Sequence, residues 1–301
     1  MLISFNGLVV NDVFNLARFG SATLSNGRRM SPTQIAEPGD AANAVAAQNA
    51  LNAITLDDGS NAQNPAVVPY PAGGLSASNT LRIGDSASMD AGVLHFSFGE
   101  YRVYPISEVQ FDQTNPRTSA PELIAEGNLN VASFNVLNYF NTLDQRGADT
   151  AEEFTRQRDK IIAALAALDA DIVGLIEVEN DGYGADSSIA DLVNGLNQAD
   201  PGYSWQYVDP GLPQVGTDAI ANGIIYRSTI VTPVDGAQIL TQANSIVGED
   251  GEALFQDHGN RPAFAQKFAL SENSEELVVV VNHLKAKSRS STCDAAGDSD
   301  K

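Results

Sequence analysis

Asp171-Ile172-Val173-Gly174-Leu175-Ile176-Glu177-Val178 is an almost unbroken apolar run that carries one carboxylate in its second half. Such a run suits a central strand covered on both faces, because a half-exposed strand would alternate apolar and polar residues. Just upstream, Thr150 and Glu153 stand at the spacing at which each side chain satisfies the other's free backbone N–H, and Ile161, Leu165 and Leu168 follow at helical intervals. The pattern predicts a helix over Ala151–Leu168. A first strand is expected at Leu129–Leu137, and later ones at Asn222–Tyr226, Ala263–Phe268 and Leu277–His283. Strand, helix, strand in that order indicates an α/β or α+β domain.

Ahead of this region the text changes character. Short extended segments broken by turn residues run through Leu8–Val10, Ala22–Leu24, Ile54–Leu56, Leu81–Ile83 and Gly92–Tyr104, and an Ala-rich stretch at Asp40–Asn52 predicts one helix. Val93 to Phe98, then Gly99-Glu100, then Tyr101 to Pro105 has the form of two strands around a tight turn. Residues 1–106 are therefore expected to form a small β-barrel or part of one. Residues 107–127 contain Asn115-Pro116, Ser119, Pro121 and Gly127 with little periodic apolar content, which predicts a linker, and residues 128–301 form the second domain. No internal repeat or low-complexity tract is visible.

Composition excludes several classes. The 43% hydrophobic and 18% charged fractions are those of a globular protein, and no apolar run approaches the roughly 20 residues of a membrane span, so none is expected. Net charge is −21, with 6 basic and 12 acidic residues up to Gly127 and 11 and 26 after it. A protein that grips nucleic acid mainly through a broad basic surface is excluded by that balance, since such binding works by displacing counterions from phosphates. An enzyme whose divalent cation neutralises one phosphate escapes the objection. The single cysteine, Cys293, permits no internal disulfide, and Met1–Val10 lacks the order of a signal peptide. Two readings remain: a cytoplasmic protein, or one whose beginning lies upstream.

Glu177 is the first candidate for chemistry, because it lies near the carboxyl end of a buried strand, where open sheets place ligand groups. Its structural alternative is an edge-of-core glutamate paired with an arginine. Glu179 and Asn180 follow, so the strand end is rich in oxygen donors suited to a hard cation such as Mg²⁺. Val278-Val279-Val280-Val281-Asn282-His283 repeats the arrangement, and Lys285, Lys287 and Arg289 form the densest basic cluster of the chain beside it. A positive loop next to a strand-end histidine suits a phosphate; a hydrogen-bonded structural histidine and a solvated basic loop are the alternatives.

Five blocks bear on that choice: Val131-Ala132-Ser133-Phe134-Asn135-Val136-Leu137-Asn138-Tyr139, the Asp171–Asn180 run, Gly223-Ile224-Ile225-Tyr226-Arg227, Arg261-Pro262, and Asn282-His283-Leu284-Lys285. In this order they resemble the endonuclease/exonuclease/phosphatase superfamily, and most of all bacterial extracellular nucleases of the ExeM/NucH type. In that group a small oligonucleotide/oligosaccharide-binding-like (OB-like) β-domain precedes the catalytic one, and Leu51–Ser60 and Gly92–Pro105 resemble it. The fold this implies is an OB-like domain followed by the front portion of a β-sandwich with flanking helices. The resemblance further implies that Asn135 and Glu177 help hold a divalent metal, Mg²⁺ first with Ca²⁺ or Mn²⁺ as alternatives, Glu177 being the direct ligand. Arg261 and His283 would contact or orient the phosphate, Lys285 would help position it, and Tyr226 and Asn282 are further catalytic candidates. Asp218 also matches the nuclease pattern, without an assigned role.

The implied activity is metal-dependent phosphodiester hydrolysis by a secreted endonuclease acting on DNA, with RNA as a second substrate, and no protein partner is inferred. Two rivals accompany it: a phosphatase or phospholipid phosphodiesterase on the same scaffold, and a non-catalytic nucleic-acid-binding module. The family also carries, downstream of the His283 block, an Asp-x-Asn strand end and a final Asp-His pair; here no Asp-x-Asn occurs and no histidine follows His283, and Cys293–Lys301 resembles the opening of an acidic loop of the extracellular group. The chain is accordingly expected to be an internal piece of a longer enzyme, with a barrel incomplete at its start and little hydrolysis of its own.

Overall fold

A computed structural model of the protein describes residues 1–118, 127–257 and 260–284. The chain divides between Thr118 and Ser119 into two units. The first contains β1 (Leu2–Asp12), α1 (Leu16–Phe19), β2 (Ser21–Ser25), α2 (Asp40–Leu51), β3 (Ile54–Asp57), β4 (Ser86–Ser97), β5 (Glu100–Pro105) and β6 (Val109–Asp112). Strand β1 pairs with both β2 and β4, so the order β1-β2-β3-β5-β4 closes on itself as a five-stranded barrel. The β3–β5 pairing is parallel and the others are antiparallel. Register shifts within β1 let one long strand bend to serve two neighbours. Val10, Leu24, Leu56, Ala87, Met89 and Val103 fill the interior.

Two expectations change here. Leu81–Ile83 is not a strand; Leu81 plugs the barrel core while the backbone turns, with the buried Asp85 carboxylate accepting from the Arg82 and Asn115 backbone N–H groups. The stretch expected as linker, 107–127, starts too early. Residues Val109–Asp112 form β6 against β4, and Thr114 donates to the Gly84 carbonyl at 2.6 Å. The sequence hid this strand because Val109 and Phe111 alternate over too few residues to register as a period. Residues 119–126 of that stretch lie outside the described ones.

The second unit holds β7 (Val131–Tyr139), α3 (Ala151–Leu168), β8 (Ile172–Glu179), α4 (Ser188–Ala199), β9 (Trp205–Tyr207), β10 (Ile220–Arg227), β11 (Val231–Leu240), β12 (Ala263–Leu270) and β13 (Glu276–Val281). Helix α3 has the expected bounds and capping box, Thr150 accepting from the Glu153 N–H. A four-stranded sheet runs β7-β8-β10-β9, with β7 parallel and β10 antiparallel to the central β8, and a second sheet runs β11-β12-β13. Mixed α and β elements, sheets predominating, make up the molecule.

Both faces of the four-stranded sheet are covered. On one side Val173, Leu175 and Val178 of β8 pack with Ile161, Ile162 and Leu165 of α3 and Ile189, Leu192 and Leu196 of α4. On the other, Ile172 and Ile224 meet Phe264 and Phe268 of β12 and Val281 of β13. Gly174 is required at that contact, since a Cβ there would lie 2.8 Å from the Val281 side chain. Among the described residues no helix is long and apolar enough to cross a membrane.

Candidate active site

The alternation of β8 is broken at one residue. Val173 and Leu175 face the helices, and strict alternation would send Glu177 there too, a carboxylate into an apolar core. Instead Ala221 pairs with Val178 and Asn222 with Ile176, which leaves Glu177 as an extra residue, and its φ is +70°. This is a β-bulge, the device that re-aims a side chain at the cost of local backbone strain. Val178 takes the helix-facing position and Glu177 turns to the crevice between the sheets. Strand β7 loops in parallel: between Asn135, paired with Ile176, and Tyr139, paired with Val178, Leu137 and Asn138 also adopt positive φ. Gln157 of α3 braces that loop by donating to the Leu137 carbonyl at 2.7 Å.

Three strand ends deliver the site. Asn135 donates from Nδ2 to Glu177 Oε1 at 3.0 Å while its Oδ1 accepts from the Leu137 N–H at 2.8 Å, and these two bonds fix the amide's orientation. The Asn138 N–H donates to Glu177 Oε2 at 3.1 Å. His283, two residues past β13, brings Nε2 to 3.7 Å from Glu177 Oε1, close enough for charge interaction but longer than a hydrogen bond. Burial first, then the Arg261 charge, hold the His283 pKa below its usual value, against the opposite pull of Glu177 and Asp218.

Asp218, without a role in the sequence, organises the cations. Its Oδ1 holds Arg146 at 2.7 Å and its Oδ2 holds Arg261 at 3.1 Å. Burial opposes its charged form, but the Arg146 hydrogen bond and the charges of Arg261 and Arg146 prevail, so its pKa lies below the normal aspartate range. Asn222 of β10, almost fully buried, donates to the Pro262 carbonyl at 2.9 Å and toward the Val281 carbonyl at 3.4 Å, anchoring the segments that carry Arg261 and His283. Asn138, Asn222 and Arg146 were missed in the sequence. The signal for Asn222 was present, an amide inside the apolar run Ile220-Ala221-Asn222-Gly223-Ile224-Ile225.

The remaining candidates divide. Asn282 is exposed and lines a groove with Arg261 and His283. Tyr226 is a correction: it pairs with Ile172, at the other end of β8 roughly 16 Å along the strand from Glu177, and packs on Phe268 between the sheets. Its buried position in an apolar cluster makes it a core residue, and burial raises its pKa. Glu179 is also structural, its Oε2 accepting from Asn141, Thr142 and Ser188. Lys285, Lys287 and Arg289 lie outside the described residues. Arg227 is caged by Asp169, Asp171 and Asp200 and stacked on Tyr203, a structural ion cluster away from Glu177.

Among the described residues no three His, Cys, Asp or Glu side chains gather as a metal-binding group. What the crevice offers is the Glu177 carboxylate with the His283 imidazole near it, while Asn135 turns its amide nitrogen to that carboxylate and its oxygen to the Leu137 N–H. A single carboxylate fits Mg²⁺, which keeps several waters and takes one or two carboxylates together with substrate phosphate.

No family model matches the sequence, and no curated protein matches it. Among solved structures, an endonuclease/exonuclease/phosphatase family protein from Bacteroides thetaiotaomicron is similar with a TM-score of 0.34 and 17% identity, over 54% of this chain and 52% of that one. The human Nocturnin catalytic domain with bound sulfate anion gives 0.32 and 17% over the same shares. The chain spans about half the length of each of these structures. Likeness at this level carries no argument about activity, which rests on the geometry of the crevice.

Proposed function

We propose that the second unit holds the cleavage site of a divalent-metal-dependent phosphodiesterase of the endonuclease/exonuclease/phosphatase superfamily, a secreted nuclease that cuts DNA and, secondarily, RNA. The observation that carries this reading is the meeting of Glu177 and His283, from strands of two different sheets, at 3.7 Å. A carboxylate, a histidine and an arginine that converge by tertiary packing, with strained backbone under the carboxylate, have the character of a functional constellation.

Glu177 would hold the metal, with Asn135 and the Asn138 N–H fixing the carboxylate's orientation. Mg²⁺ bound there would offset charge on the phosphate oxygens and on the departing oxygen. Arg261, braced by Asp218, presents donors to a non-bridging oxygen as negative charge develops. His283, shifted toward its neutral form, orients the phosphate from beside Arg261. The closed order β1-β2-β3-β5-β4 with a parallel β3–β5 pairing supports the OB-like reading of the first unit.

The test uses the enzyme to which these residues belong, offered supercoiled plasmid DNA and, separately, an inositol phosphate. Plasmid should be cut with Mg²⁺ and spared in EDTA, and Glu177→Gln should slow cutting by at least about a hundredfold, the scale for losing an electrostatic stabiliser of the transition state. Phosphate release from inositol phosphate with intact plasmid would overturn the nuclease assignment in favour of a phosphatase. DNA retained in EDTA and never cut would replace it with a binding module.

A further inference from the structure

Strands β11 and β12 are antiparallel neighbours, yet the connection between them runs from 241 to 262, where a hairpin needs only about two to five residues. The excess is built, not slack. The Leu254 N–H donates to the Ile246 carbonyl at 2.9 Å, the Gly248 N–H to the Glu252 carbonyl at 2.8 Å, and the Phe255 N–H to Ser245 Oγ at 2.8 Å, so this part of the connection folds back on itself as a small hairpin. The Asp257 carboxylate ties it down by accepting from the Gln242 N–H at 2.9 Å. A long connection with its own internal bonds, ending at Arg261 beside the crevice, has the form of a binding loop.

A groove of about 270 Å³ lies against this hairpin. Its apolar lining comes from Leu240 at the end of β11, Leu254 and Phe255 of the connection, and Leu284 beyond β13. Leu254 and Leu284 are 64% and 81% exposed, and leucines gathered along one groove, unlike leucines scattered singly, mark a place where something binds. Two carboxamides interrupt the apolar lining. The Asn282 side chain has no hydrogen-bond partner among the described residues, and Asn260 donates from Nδ2 to the Gln256 carbonyl at 2.8 Å, which leaves its Oδ1 open. Arg261 and His283 line the same groove, so its occupant adjoins any phosphate that these two contact.

That combination selects among the groups a phosphoester can carry. An acyl chain would cover the leucines but strand the two amides, since hydrocarbon neither donates nor accepts a hydrogen bond. A nucleobase satisfies both, because its ring is a flat apolar plate and its edge presents neighbouring donors and acceptors that a carboxamide can meet. We propose that this groove is a nucleobase subsite of the cleavage centre, taking the base of the nucleotide whose phosphate is cut, with the ring on Leu254 and Phe255 and its edge on Asn282 and Asn260. The position of the phosphate rests on the phosphodiesterase reading given above; the base contacts do not.

Titration calorimetry of the whole chain in the presence of Mg²⁺ tests this, with the deoxynucleoside 5′-monophosphates, deoxyribose 5-phosphate as the base-free control, and dihexanoyl phosphatidic acid as the acyl one. At least one nucleotide should bind about tenfold tighter than deoxyribose 5-phosphate. Leu254→Ser and Asn282→Ala, both at exposed positions, should each cut that preference by about three- to tenfold, the equivalent of one lost apolar or amide contact. Deoxyribose 5-phosphate should bind Leu254→Ser as it binds wild type. The proposal fails if no nucleotide binds at about 10 mM, a concentration that detects even millimolar affinity, or if none outbinds deoxyribose 5-phosphate. It also fails if both variants keep the wild-type preference, or if the phosphatidic acid outbinds every nucleotide and loses affinity in Leu254→Ser. Glu177→Gln separates this proposal from the phosphodiesterase reading. A base preference that persists while Glu177→Gln leaves deoxyribose 5-phosphate binding unchanged upholds the subsite and sinks the metal site; phosphate binding that depends on Glu177 without any base preference does the reverse.

Discussion

Replacing Glu177 by alanine and by glycine should reverse the usual order of the two residues. At an ordinary strand position glycine is the less stable by roughly 0.5–1 kcal/mol, because it loses more chain entropy on folding. Glu177 sits at φ +70°, where a Cβ meets the following carbonyl at a cost of about 1–2 kcal/mol that glycine escapes. Both variants lose the same bonds from Asn135 and the Asn138 N–H, so those cancel in the comparison. The difference left is strain relief less entropy, which puts Glu177→Gly above Glu177→Ala by up to about 1.5 kcal/mol, or about 3–6 °C in melting temperature for a unit of this size. Paired urea melts followed by circular dichroism measure it. Should the alanine variant prove as stable as glycine or more so, the bulge does not exist as described, and the carboxylate has no reason to leave the helix-facing side of β8.

Four further outcomes follow from particular contacts. Gly174→Ala places a Cβ 2.8 Å from Val281 and should cost about 1–3 kcal/mol in a denaturant melt by pushing the sheets apart; an unchanged midpoint would contradict the sandwich packing. Arg227→Met leaves Asp169, Asp171 and Asp200 facing one another without their cation, with an expected loss of about 3–5 kcal/mol by urea unfolding, and a loss below about 1 kcal/mol would show the cage to be dispensable. The lowered folded pKa of Asp218 means that its contribution is present above the unfolded aspartate value and is lost as pH falls through the folded one. Stability curves of wild type and Asp218→Asn should therefore separate at neutral pH and converge in acid, below the normal aspartate range; parallel curves throughout would refute the double pairing. In the proposed DNA cleavage, Asn222→Leu, which removes the anchor of the Pro262 and Val281 carbonyls, should reduce plasmid cutting more than Tyr226→Phe, which only trims a core residue, and equal losses would contradict the placement of the two.

Much of the second unit can be read in one dimension because its signals are local. The Thr150–Glu153 capping box and the spacing of Ile161 and Leu165 specify α3 from within a few residues, and the apolar run specifies β8 as a doubly covered strand. The approach of Asn135, Glu177, Arg261 and His283 was an inference from resemblance, and the folded chain brings these residues to one crevice. Tyr226 shared a motif with its neighbours yet went to the core, since its partner is fixed by the β8–β10 register, which no short stretch encodes.

What the residues alone determined was the identity of the elements and the presence of Glu177 within the apolar run of β8. Which way that acid points was decided by pairing: β10 offers no partner to Glu177 while β7 loops out three residues beside it, and that mismatch turns the side chain from the helices to the crevice. The roles of Asp218 and Asn222 likewise come from partners 40 or more residues distant, Arg261 and Pro262. Local propensity reaches a few turns of chain; the register between strands, and so the direction of every side chain they carry, belongs to contacts that exist only once the sheets have formed.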